Sequence, residues 1–148
     1  MGSISKTAVV PYTAEQMYDL VNDIEAYPEF LPWCTAASVR NRTETGLTAS
    51  VSLATGRIKQ TFTTENTMRP GRQIDVRLIS GPFSYLNGSW RFEPAGANLC
   101  RIELDMNFEF RSKLLKLTLN PVFNQFINSL VSSFVNRAGK VHGQQQLC

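Results

Sequence analysis

Twelve residues, CRIELDMNFEFR, constrain this chain more than any other stretch. Cys100, Ile102, Leu104, Met106, Phe108 and Phe110 alternate without a fault with Arg101, Glu103, Asp105, Asn107, Glu109 and Arg111. Side chains of an extended chain point to opposite faces in turn, so this pattern specifies a strand with one greasy face and one wet face. A strand of that kind belongs to an antiparallel sheet that covers a core on one side. Shorter alternations precede it. Leu47, Ala49, Val51 and Leu53 form one, and Ile74, Val76 and Leu78 another. Between them Ile58, Phe62 and Met68 share a face with the polar Gln60, Thr64 and Asn66. Turn signals at Thr55-Gly56, Pro70-Gly71, Gly81-Pro82 and Pro94 to Asn98 separate the runs. Close spacing of this kind predicts a meander of hairpins.

The period changes at both ends of the meander. Residues 4–10 read as a first strand, rich in β-branched side chains. Thr13 and Gln16 are spaced as a capping box, and Met17, Leu20, Val21 and Ile24 follow at helical intervals. The prolines of EAYPEFLPWC allow one short helical turn before extended chain. Residues 112–142 return to helical spacing through Leu115, Leu119, Phe123, Phe126, Leu130 and Phe134. Pro121 either starts a new helix, with Asn120 as its cap, or kinks a long one. The expected order is β, α, α, six β, long α, in one domain of 148 residues whose last six are frayed. A helix so apolar must lie across the sheet.

One detail raises a functional question. In SGPFSYLNGSW, Gly88 falls on the same face as Leu86 and Trp90. A strand glycine eases a bend or clears space for something to approach. Together with the polar Gln60, Thr64 and Asn66 on an internal face, and the phenylalanines of the last helix, it suggests a container with an apolar cavity and a few polar groups. Plain core packing explains the same residues.

Composition narrows the rest. The single histidine, His142, removes most histidine-based triads and metal sites. Three cysteines without CxxC spacing argue against zinc or a disulfide framework and fit a reduced, cytoplasmic setting. No apolar run approaches the ~20 residues of a membrane span. No signal peptide opens the chain, and Lys6 breaks a myristoylation motif. The carboxylates Glu65, Asp75 and Glu103 alternate onto the outward face, so no catalytic residue is assigned and catalysis is not expected. Bases are segregated. Residues 38–80 hold seven against three acids, and residues 112–148 hold four against none. Such surfaces suit phosphate, as lipid headgroups or RNA.

The motifs NDIEAYPEFLPWC (22–34), FTTENTM (62–68), GPFSYLNGSWRF (81–92) and CRIELDMNFEF (100–110) resemble the bacterial START-like family of the ribosome association toxin RatA. That family is similar to the mitochondrial coenzyme-Q-binding START proteins. The resemblance covers about residues 3–142. It implies an α+β helix-grip fold: a curved antiparallel sheet of about seven strands wrapped around a long C-terminal helix, with two short helices after the first strand.

Two roles follow. The first is a non-enzymatic binder of ubiquinone or a related isoprenoid lipid, supporting respiration and needing no obligatory cofactor. Its wall would be Phe62, Gly88, Trp90, Phe108, Phe110, Phe123, Leu130 and Phe134, with Gln60, Thr64 and Asn66 at the head group. Tyr27, Phe30 and Trp33 would form the mouth and touch a membrane interface transiently. The second is a factor that binds the large ribosomal subunit and hinders subunit joining, through Arg40, Arg42, Arg57, Lys59, Arg69 and Arg72. The two roles can coexist, at the inner membrane or on the ribosome. No DNA partner and no metal are expected.

Overall fold

The computed structural model describes residues 2–55 and 58–143. Seven strands form one antiparallel sheet: β1 Gly2–Val10, β2 Cys34–Arg40, β3 Gly46–Thr55, β4 Ile58–Arg69, β5 Gln73–Ser80, β6 Phe83–Gly96 and β7 Leu99–Phe110. Their order across the sheet is β1-β7-β6-β5-β4-β3-β2, so every neighbour follows in sequence except the first strand, which returns to pair with the last. Helix α1, Ala14–Asn22, and a 3₁₀ helix, Ile24–Glu29, follow β1. Helix α2, Lys113–Ala138, lies across the concave face and runs into a π turn at Gly139–Gly143. This is the helix-grip arrangement.

The alternation of β7 reads straight into burial. Cys100, Ile102 and Leu104 are fully buried and Met106, Phe108 and Phe110 nearly so. The capping box forms, with the Gln16 amide donating to the Thr13 hydroxyl oxygen and the Thr13 amide to the Gln16 side chain. Register shifts at Cys34/Ala36, Thr63/Thr64, Phe83/Tyr85 and Pro94/Gly96 add the local bends that let the sheet curl around α2.

One detail departs from the sequence reading, and one open alternative is resolved. β6 continues through Pro94, expected in a turn, because the missing N–H falls at a register shift. Pro121 starts no new helix. α2 is one helix over 26 residues, capped by the Ser112 hydroxyl, which accepts from the Leu115 amide.

Candidate functional site

The space between sheet and helix is nearly filled by rings. Phe123 sits at its centre. Its ring lies 4.8 Å from Phe108 and 4.9 Å from Phe83, in edge-on contacts. Farther along α2, Phe134 meets Trp90 at 5.5 Å and Tyr27 at 5.3 Å. Edge-to-face contacts at these separations add to simple burial.

Two small apolar hollows remain. The inner one, about 80 Å³, is bounded by Val51, Phe62, Thr64, Met106, Leu130 and Phe134, among others. The outer one, about 30 Å³, lies toward the end of the sheet where β5 turns into β6, between Gln60, Pro82, Phe83, Phe110 and Leu119. Phe62 and Phe123 line both and form the partition. Typical ligand pockets hold ~300–1,000 Å³, so a long ligand enters only if these rings move.

The polar groups of the inner hollow have committed their protons. The Thr64 hydroxyl donates to Asn66 Oδ1 at 2.8 Å, and Tyr27 donates to the Val21 carbonyl. Burial pushes the Tyr27 phenol well above its ordinary range, so it keeps its proton. Both present only lone pairs to a guest. Gln60, half-buried at the outer hollow, carries the amide donors.

The expected site residues thus divide. Gln60, Phe62, Thr64, Phe110, Phe123, Leu130 and Phe134 line one or both hollows. Trp90 and Phe108 line neither and pack in the core, Trp90 nearly parallel to Phe92 at 6.1 Å. Gly88 does not clear space for a guest. A Cβ there would lie 2.4 Å from the Asp105 carbonyl oxygen and 2.7 Å from Met106 Sδ, so what approaches it is β7 itself. Tyr27 reaches the inner hollow, whereas Phe30 and Trp33 line a separate surface groove with Ser133 and Arg137. Val76, Leu86 and Met106, outside the expected wall, also line the inner hollow, and their parity on β5, β6 and β7 points them inward.

The expected basic footprint also divides. Arg40 and Arg69 sit exposed at one end of the sheet and form no ion pair among the described residues. At the same end Arg42 is held by Glu25 and Arg72 by Glu15, each at 2.9 Å. Lys59 stands at the opposite end of β4, about 33 Å of strand from Arg69. Arg57 lies outside the described residues. The outward carboxylates are in ordinary surface pairs: Glu65 with Arg77, Asp75 with Gln73, and Glu103 between Arg91 and Arg101. Among the described residues no cluster of metal-ligating side chains occurs, and no helix is long and apolar enough to cross a membrane.

Comparison with known proteins places this geometry. The ribosome association toxin RatA of Pseudomonas aeruginosa is 42% identical over 140 residues, 95% of this chain and 97% of that one. A mitochondrial coenzyme Q-binding protein of Xenopus laevis is 26% identical over 147 residues, 97% of this chain and 60% of that one. The solution structure of an 18 kDa protein from Caulobacter crescentus superimposes with a TM-score of 0.76 at 34% identity, covering 97% of this chain and 99% of that one. Residues 10–135 match the family described as polyketide cyclase / dehydrase and lipid transport. The chain therefore belongs to that START-like family, alongside the proteins named ribosome association toxin RatA.

Proposed function

We propose that this chain is a ribosome-associating regulator that binds the large ribosomal subunit and hinders subunit joining. The near-full-length likeness to RatA carries this reading, at 42% identity against 26% for the coenzyme Q-binding relative. Arg40 and Arg69, exposed and without ion pairs among the described residues, are the contacts to rRNA phosphate. Arg42 and Arg72 already spend part of their charge on Glu25 and Glu15. The test is sucrose-gradient sedimentation with purified subunits. The chain should travel with the large subunit, deplete joined ribosomes, and dissociate steeply as salt rises. Arg40→Glu with Arg69→Glu should weaken binding at least several-fold. A chain that stays at the top of the gradient at low salt rejects the proposal.

A hydrophobic ligand is the second reading, supported by the paired apolar hollows and the family's lipid-transport description. Ubiquinone or a related isoprenoid is its specific form. Quinone carbonyls need donors, and Gln60 offers them at the outer hollow, while the tail needs Phe62 and Phe123 to turn aside. Mass spectrometry of the organic extract from gently purified protein should find the lipid in stoichiometric amount. An empty extract leaves the ribosome reading alone.

A further inference from the structure

The end of the molecule that carries the outer hollow has a surface the ribosome reading does not use. α2 begins there, and its first residues, 113–118, are exposed except for the half-buried Leu115. Leu114 and Leu117 are 73% and 78% exposed, the most exposed large apolar side chains among the described residues. Spaced three apart, they share a face, with the exposed Pro121 one turn beyond Leu117. That face is opposite to Leu119 and Phe123, which are buried against the sheet. Core packing therefore does not account for these leucines.

Bases lie close to them in the chain and at the same end of the sheet. Lys113 and Lys116 alternate with the leucines on the same two turns, Arg111 precedes the helix, and Lys59 stands at the start of β4. None of the four forms an ion pair among the described residues. Exposed Ile79, at the end of β5, adds apolar surface at the same end. Among the described residues in the segments that meet here, 2–4, 53–60, 79–85 and 108–118, the only carboxylate is Glu109. The first turn of α2 holds no acid, and cations at a helix N-terminus oppose the macrodipole. Helix stability did not select this arrangement.

We infer that this end docks on an anionic lipid bilayer. Leu114 and Leu117 enter the boundary between headgroups and chains, and Arg111, Lys113 and Lys116 meet lipid phosphate. Charge complementarity selects that occupant. Unpaired bases on the same turns as exposed leucines fit a surface that is anionic outside and apolar beneath, whereas RNA phosphate uses the bases and leaves the leucines in water.

Vesicle co-sedimentation of the full chain tests this, with phosphatidylcholine vesicles containing phosphatidylglycerol and with pure phosphatidylcholine. The chain should pellet with the anionic vesicles only. Leu114→Ser with Leu117→Ser should lower binding about tenfold. Lys113→Glu with Lys116→Glu should abolish its salt-sensitive part. All four positions are exposed, so the thermal midpoint should not fall appreciably, the lysine pair even gaining from acids at the helix start, and a cooperative transition will show that each variant folds. Three results would overturn the inference: no pelleting with anionic vesicles, pelleting indifferent to the leucine pair, or a dimer broken by the leucine pair without vesicle binding. Base-dependent, leucine-indifferent binding to ribosomal RNA, without vesicle binding, would assign this end to the ribosome instead.

Discussion

At Gly88 the strand has no room for even a methyl group, because the Asp105 carbonyl oxygen of β7 stands 2.4 Å from where it would be. The backbone, not a flexible side chain, is the obstacle. Gly88→Ala should therefore destabilise the fold by about 1–3 kcal/mol through overpacking, read as a lower urea midpoint. An unchanged midpoint would mean that β6 and β7 can part at this point. The contrast with Thr64 is instructive. Both positions were legible as inward-facing from parity alone. Whether an inward residue meets a hollow or a neighbouring strand depends on the twist between strands, which parity does not carry.

Elements follow local rules where the rules are strong. The α1 cap is set by two side chains three residues apart, and both reciprocal hydrogen bonds form. Thr13→Ala should cost about 1 kcal/mol, measured by thermal unfolding. A loss below a few tenths would show that the tertiary contacts of Met17 and Val21 hold the helix start without its cap. Pro121 shows where local rules stop. Its ring removes one helical donor, and sequence alone allowed a kink or a new start. Leu119 and Phe123, on either side of the proline, are both buried, so α2 continues through it as one helix. The basic footprint divides for a different reason. Residues close in sequence at the two ends of a long strand are far apart in space, so Lys59 and Arg69 do not share a surface.

For the whole molecule, the buried core makes stability depend on alkaline pH. Burial raises the Cys100 thiol to about 11 from an ordinary value near 9, and raises Cys34 and Tyr27 in the same direction. The folded chain then keeps protons that the unfolded chain releases. Stability is intact below about pH 9 and falls as pH rises toward 11, by roughly 2 kcal/mol for Cys100 alone. Urea unfolding at pH 8 and pH 10.5 should reveal the loss, and Cys100→Ala should reduce it. A flat profile would show that these groups are solvated in the folded protein.

The order of elements, the buried face of every long strand and the cap of α1 were written in the sequence, because periodicity and hydrogen-bonding reach are properties of a few consecutive residues. The motifs that resemble the RatA family are equally local, and they led to the same fold. What only the tertiary structure decided was volume and adjacency. Ring packing around Phe123 divides the interior into hollows of about 80 and 30 Å³, and the length of β4 carries Lys59 away from Arg69. Those outcomes depend on how distant segments meet, and no short stretch of the chain contains that distance.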